Sequence, residues 1–175
     1  MRLLNDERGY GIVTRTLHWL TVLALVGQVL LGYTLEEASE WVAGERDADE
    51  ALVFVHAWWG VAIMVLATLR LAWRRATPLP PWSDRLSARD RVWQHRLEMA
   101  LYALLYLVPG TGLALLLVSG AERETLDDPE WTPPLELVDD DLLVVLHVAS
   151  HIALYLTVAV HVVLATRRRT VGRML

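Results

Sequence analysis

Six histidines are the residues of this 175-residue chain that are best suited to chemistry. Three of them, His147, His151 and His161, lie within the apolar run LLVVLHVASHIALYLTVAVHVVLAT at 142–166. An imidazole inside a segment that is long enough to cross a bilayer is costly, and it therefore indicates a functional site. Imidazoles bind metals, exchange protons and form hydrogen bonds between helices, and the spacing of the histidines helps to distinguish these uses.

The spacing predicts two pairs of metal ligands. His147 and His161 are fourteen residues apart, close to four helical turns, so they face the same way with a rise of roughly 21 Å between them. In other apolar runs, His56 lies at the depth of His147 and His18 lies at the depth of His161. Haem iron takes a nitrogen ligand on each side, and helix bundles build such sites from facing helices. We therefore predict two haems, one held by His56 and His147 and the other by His18 and His161.

Two histidines remain outside these pairs. His151 is one turn from His147, and we interpret it as packing beside a ligand, with ligation in place of His147 as the alternative. His95 has Glu98 one turn further on, and it is either a polar boundary residue or a contact for a quinone or a haem propionate. A further alternative makes His95, in place of His18, a ligand.

Other residues are predicted to contact the cofactors. A macrocycle needs a small residue beside its ligand, and Gly60 lies one turn after His56. Haem propionates need cations, and Arg15, Arg70 and Arg74 lie at the depth of the second pair. Two rival interpretations of the histidines stay open, hydrogen bonds between helices and zinc or iron transport. A transport pathway would usually contain carboxylates, whereas the apolar runs contain almost none.

Four long apolar runs, at about 16–34, 51–72, 95–118 and 142–165, must position these residues. Each is near or above the ~20 residues that span a bilayer, and lipid requires each to be a helix. The sequence thus predicts an all-α, integral-membrane four-helix bundle as a single domain over 1–175. The first run is too long for the apolar part of a typical cleaved signal peptide. The chain contains no cysteine, which excludes thiolate ligands, iron–sulfur clusters and covalently attached c-type haem.

The charges are distributed unevenly between the two ends of this bundle. Arginines lie at the start of the first helix, in the segment that connects the second and third helices, and at the end of the fourth helix. We call this side of the bundle the Arg end. Its fourteen arginines are Arg2, Arg8, Arg15, Arg70, Arg74, Arg75, Arg85, Arg89, Arg91, Arg96, Arg167, Arg168, Arg169 and Arg173. The opposite side, the acidic end, has segments 36–50 and 122–141 with sixteen acidic residues against Arg46 and Arg123.

This asymmetry predicts the orientation. Short Arg-rich connections stay in the cytoplasm, so both termini are expected there and the acidic end is expected to face outward, in a multi-pass protein of the inner membrane. The predicted partner is therefore the lipid bilayer. Because these arginines flank helix ends, we do not predict binding to nucleic acid. Below, His56 and His147 are the acidic-end pair, and His18 and His161 are the Arg-end pair.

Several short motifs resemble the bacterial cytochrome b561 family of four-helix dihaem membrane proteins. They are LHWL at 17–20, VHAWWG at 55–60, LRLAWR at 69–74, PLPPW, LYLVPGTGL at 105–113, the two histidines fourteen residues apart and a basic tail ending in GRML. The resemblance covers nearly the whole chain. It implies that the two pairs are the four ligands of two haem b groups and that electrons are exchanged with the quinone pool.

The resemblance leaves the outer redox partner open. Some members of this family are proposed to oxidise superoxide at the outer face and to reduce ubiquinone. Related b-type subunits accompany hydrogenases and formate dehydrogenases, so an anchor subunit of a larger enzyme is the alternative function. An electron donor or acceptor is expected at the acidic end in either case. The acidic segments of this chain are expected to repel the superoxide anion, because both are negatively charged.

Overall fold

The computed structural model of the chain describes residues 2–7, 9–34, 50–118 and 140–175. The predicted acidic segments lie almost entirely outside these residues, as do Arg8, Arg46 and Arg123. All contacts and exposed fractions given for this structure are those of these residues.

Four α-helices follow one another along the described residues. They are α1 (Ile12–Thr34), α2 (Glu50–Ala76), α3 (Ala88–Val118) and α4 (Asp140–Arg167), and a short 3-10 helix, Val171–Arg173, follows α4. The described ranges contain no β-strand. Each of the four helices contains a stretch that is long and apolar enough to cross a membrane. The predicted all-α fold with four membrane-spanning helices is therefore confirmed.

Helix α3 begins about two turns before the predicted start of its run at 95. Ser87 and Asp90 form a reciprocal cap, because the Asp90 amide donates to Ser87 Oγ at 3.2 Å and the Ser87 amide donates to Asp90 Oδ2 at 3.0 Å. The first two turns contain Arg89 and Arg91, so an apolar pattern does not extend over them. The cap, rather than hydropathy, sets the start of α3.

Large apolar side chains point outward along the bundle. Trp58 is 71% exposed, and Leu23 and Leu156 are each 64% exposed. Apolar surface of this extent would be unfavourable in water, whereas a hydrocarbon environment suits it. The exposed faces of the four helices are thus consistent with a bundle surrounded by lipid.

Two of the buried core clusters lie between the two histidine depths. Ile63 and Leu105 join α2 to α3, and Val108 and Leu154 join α3 to α4. Leu25 of α1 packs against both of these clusters. The apolar centre therefore separates the acidic-end pair from the Arg-end pair along the bundle.

The Arg end is tied together by hydrogen bonds between segments that are distant in sequence. Asn5 Oδ1 accepts from the Gly11 amide at 2.9 Å and from Thr14 Oγ1 at 2.7 Å, which holds the N-terminal segment against the start of α1. Arg173 donates to the Pro81 carbonyl at 2.7 Å. Both terminal segments and the connection between α2 and α3 therefore lie at the same end of the bundle.

Candidate functional site

The acidic-end pair consists of two imidazoles that face each other across the bundle. His56 extends from α2 and His147 from α4, with ring centroids 6.5 Å apart and ring planes at 74°. The other two helices hold these rings. Thr111 of α3 places Oγ1 2.9 Å from His147 Nδ1. Gln28 of α1 places Nε2 3.0 Å from His56 Nε2 and donates to the His56 carbonyl at 3.1 Å.

One nitrogen of His56 is left for another partner. Its Nδ1 is buried and has no hydrogen bond among the described residues. An unsatisfied polar atom in an apolar interior costs about 1–3 kcal/mol. A hydrogen-bond partner at this position would remove that cost.

The Arg-end pair repeats the same ring spacing. His18 of α1 and His161 of α4 have centroids 6.5 Å apart and planes at 53°. Here the neighbouring group is a cation, because a guanidinium nitrogen of Arg70 lies 3.2 Å from His18 Nδ1. A guanidinium only donates, so His18 Nδ1 accepts this hydrogen bond. Arg70 also lies 5.7 Å from the ring centroid of Tyr102, which gives the cation a second stabilising contact.

Both pairs have the dimensions of two imidazoles that bind one metal from opposite sides. Imidazole nitrogens bind transition metals at about 2.0 Å, so two such rings have centroids roughly 6 Å apart. In the part of the chain that the structure describes, no three His, Asp or Glu side chains converge to hold a bare metal ion. Two axial imidazoles suit a metal that brings its own equatorial ligands, as haem iron does. The spacing of the two rings in each pair therefore fits a haem.

His151 lies beside the acidic-end pair rather than opposite it. Its ring centroid is 4.4 Å from that of His147, with an angle of 60° between the planes. Its other neighbour is Tyr155, whose ring is nearly parallel at 8° with a centroid distance of 6.1 Å. The distance to His147 is shorter than two rings on opposite sides of one metal require. Whether His151 packs beside His147 or ligates in its place stays a prediction.

His95 lies at the rim of the Arg end. Its side chain is 56% exposed, and its Nδ1 is 3.9 Å from Glu98 Oε2. Glu98 also forms a two-point ion pair with Arg74, whose second nitrogen lies 2.9 Å from Glu98 Oε2. The ring that faces His161 is His18, and His95 forms a separate ionisable group with Glu98 and Arg74.

The two remaining predicted residues contact protein groups. Arg15 donates to the Leu175 carbonyl oxygen, and its Nε is buried without a partner among the described residues. A Cβ added at Gly60 would lie 3.3 Å from Pro109 Cβ and 3.8 Å from Gln28 Nε2. Gly60 therefore permits close packing of α2 against α3, and contact of either residue with a haem stays a prediction.

Sequence reasoning missed Gln28 and Thr111 as partners of the imidazoles. A signal was available for both, because each is a polar residue inside an apolar membrane-length run, and such residues usually have a partner in the bundle. Thr111 is buried and lies in the PGTG segment at 109–112. The neighbour that approaches this segment most closely is the His147 ring, at Gly112.

Known proteins can now be compared with this geometry. The sequence model described as prokaryotic cytochrome b561 matches residues 9–175, a range that contains all six histidines. Cytochrome b561 homolog 2 of Escherichia coli (strain K12) is 26% identical over 131 residues, which cover 75% of this chain and 66% of that protein. The alignment thus spans just under two thirds of the length of the relative. No solved structure gives a significant match. Because the family match extends over nearly the whole chain, the protein belongs to the prokaryotic cytochrome b561 family, which implies that it binds haem b.

Proposed function

We propose that the protein is a dihaem b-type cytochrome of the inner membrane that carries electrons between the membrane faces and exchanges them with the quinone pool. The observation that carries this proposal is the repetition of one geometry. Two imidazole pairs have the same centroid distance of 6.5 Å, and each pair combines α4 with a different helix. Hydrogen bonds between helices would not by themselves require this repetition at two depths.

Each pair would hold one haem b, which supplies a one-electron iron couple when bound. Because His56 and His147 would hold one haem and His18 and His161 the other, each with two imidazoles, the two sites would suit electron transfer rather than oxygen chemistry. The chain orients the rings through Thr111, Gln28 and Arg70, which contact His147, His56 and His18 respectively. The packed apolar residues between the pairs exclude water from the path between the two sites.

The quinone is proposed to react at the Arg end. Reduction of a quinone to a quinol takes up protons together with electrons, so this end needs groups that exchange protons with solvent. His95 and Glu98 are such groups, since His95 is largely exposed and lies beside the carboxylate. Arg74 holds that carboxylate through two hydrogen bonds. A quinone head group near this rim would be within reach of both proton donors.

The electron donor at the acidic end is proposed to be a neutral quinol or a cationic protein. A superoxide:quinone oxidoreductase is the more specific possibility within the same family. A haem-bearing anchor subunit of a larger dehydrogenase or hydrogenase is the alternative function. Purification separates these outcomes, because a stable lone chain that reacts directly with quinol argues against the anchor subunit.

Alanine substitution of the six histidines tests the dihaem proposal. His147→Ala and His56→Ala are expected to remove one haem and to keep the other. His161→Ala and His18→Ala should remove the second haem and keep the first, because each ring supplies one of two axial nitrogens. The measurements are the haem-to-protein ratio and the reduced-minus-oxidised spectrum of the purified variants.

His151→Ala and His95→Ala are the matched controls, and both should retain two haems. If His95→Ala lost a haem while His18→Ala kept both, the Arg-end ligand pair would be wrong. If His151→Ala lost a haem while His147→Ala kept both, the acidic-end pair would be wrong. A colourless wild-type protein would overturn the dihaem proposal and favour a transporter.

A further inference from the structure

The PGTG segment at 109–112 in α3 provides the hydrogen-bond partner of His147. Pro109 lies inside the helix, and Thr111 Oγ1 bonds back to two carbonyls of the same helix. It donates to the Leu107 carbonyl at 3.0 Å and to the Val108 carbonyl at 2.8 Å. A hydroxyl has one hydrogen to donate, and the backbone of α3 therefore takes it.

The direction of the contact with His147 follows from this assignment. Because the Thr111 hydrogen is directed at the backbone, Thr111 Oγ1 must accept from His147 Nδ1 across the 2.9 Å contact. This contact places the ring proton of His147 on Nδ1. The lone pair of Nε2 is then available for a metal.

Gly112 supplies the space for the same ring. A Cβ added at this position would lie 2.9 Å from His147 Cε1 and 3.4 Å from His147 Nδ1. Real Cβ atoms essentially never approach another heavy atom as closely as 2.9 Å. Two residues earlier in the same segment, a Cβ added at Gly110 would meet no heavy atom within 4 Å. The space requirement is therefore specific to position 112.

We propose that Thr111 and Gly112 form a seat for the His147 imidazole that fixes its Nδ1–H tautomer and lowers the midpoint potential of the acidic-end haem. This inference rests on the proposed function, because it requires His147 to be a haem ligand. A hydrogen bond from the second ring nitrogen to an acceptor increases the basicity of a ligating imidazole. A more basic ligand stabilises the oxidised iron and so lowers its reduction potential. Both seat residues act as positioning residues through His147.

The test of the hydroxyl is a redox titration of purified Thr111→Val, Thr111→Ser and Thr68→Val. Thr111→Val should raise the midpoint potential of the acidic-end haem and leave that of the other haem unchanged. Both haems should be retained, because the His147 imidazole itself is unchanged. Thr111→Ser keeps the hydroxyl and should behave as wild type. Thr68→Val is the matched control, since Thr68 Oγ1 also donates to a carbonyl of its own helix, that of Met64 at 2.8 Å.

A comparison of Gly112→Ala with Gly110→Ala tests whether the His147 ring needs the space beside position 112. Both changes add one methyl group to the same helix, where alanine is favoured over glycine. Gly112→Ala should displace the His147 ring and reduce the occupancy of the acidic-end haem, whereas Gly110→Ala should keep two haems. Haem-to-protein ratios measure the difference. If Thr111→Val does not accumulate in the membrane, this pair of variants is decisive.

The outcomes separate the seat from the proposed ligands. An unchanged potential in Thr111→Val, or equal haem content in Gly112→Ala and Gly110→Ala, would overturn the seat, provided that His147→Ala has lost its haem. If His147→Ala itself keeps two haems, the ligand assignment fails first and the seat fails with it. A raised potential in Thr111→Val, together with a wild-type potential in Thr111→Ser, supports both the seat and the assignment of His147 as a ligand.

Discussion

The two imidazole pairs have the same ring spacing and different neighbours. Both have centroids 6.5 Å apart, and both take one ring from α4. At the acidic end, the groups that contact the rings are neutral, a threonine hydroxyl on one ring and a glutamine amide on the other. At the Arg end, the contacting group is the Arg70 guanidinium. An ion pair between Arg74 and Glu98 lies nearby.

If each pair ligates one haem as proposed, the different neighbours would give two sites of equal ligation unequal potentials. When axial ligands are the same, hydrogen bonds to the ligands, net charge and burial tune a haem. A cation beside a ligand favours the reduced iron, which has one positive charge less. An acceptor on a ligand and an acidic surface favour the oxidised iron. We therefore expect the acidic-end haem to have the lower potential, and electrons to move from the acidic end toward the Arg end.

The first prediction concerns the orientation of the bundle in the membrane. It has the largest expected effect, because a reversed orientation would exchange the sides that the two pairs face. Both terminal segments and the connection between α2 and α3 lie at the Arg end, and short Arg-rich segments remain in the cytoplasm. A reporter that works only in the cytoplasm should thus be active when fused after Leu175 and inactive when inserted at 127–128. The opposite pattern would reverse the side that each haem faces, and with it the expected direction of electron flow.

A second prediction concerns charged reactants at the two ends. The acidic-end segments hold sixteen carboxylates against Arg46 and Arg123, and such fields change association rates by roughly 10–10³-fold at low salt. An anion such as superoxide should therefore reduce the protein slowly at low ionic strength. The rate should rise as salt screens the surface, with a Debye length of about 10 Å at 0.1 M.

The measurement is the rate of haem reduction by superoxide at a series of salt concentrations. A small neutral reductant serves as the control, because its rate should not depend on salt. A rate near the diffusion limit that falls as salt is added would show that the acidic end attracts superoxide. The outcome would favour a superoxide:quinone oxidoreductase.

The sequence predicted the features that the bilayer and helical periodicity determine. Bilayer thickness requires four long apolar helices, and a fourteen-residue spacing places His147 and His161 on one face of α4. The structure brings each of these rings opposite its predicted partner, while ligation of haem stays a prediction.

The contacts that distinguish the two pairs could not be predicted in the same way. They depend on how each helix is rotated and on which helices are neighbours, and neither follows from the pattern of one helix. Gly60 illustrates the difficulty, because its contact with Pro109 of α3 depends on how α2 and α3 pack, which the pattern of α2 does not contain. The start of α3 was set too late for a local reason, since its cap precedes turns that contain arginines.

The third prediction sharpens the comparison and has the smallest expected effect. Arg70→Gln removes the cation beside His18 and leaves a side chain that can still donate a hydrogen bond. The reduced Arg-end haem loses electrostatic stabilisation, so its midpoint potential should fall by about 60 mV, which corresponds to a tenfold change for a one-electron couple. Arg75→Gln is the matched control on the same helix, because Arg75 is exposed. Redox titration of both variants should show one haem shifted in Arg70→Gln and none in Arg75→Gln. A shift confined to the acidic-end haem, or an equal shift in both variants, would mean that the charge of Arg70 does not distinguish the two sites.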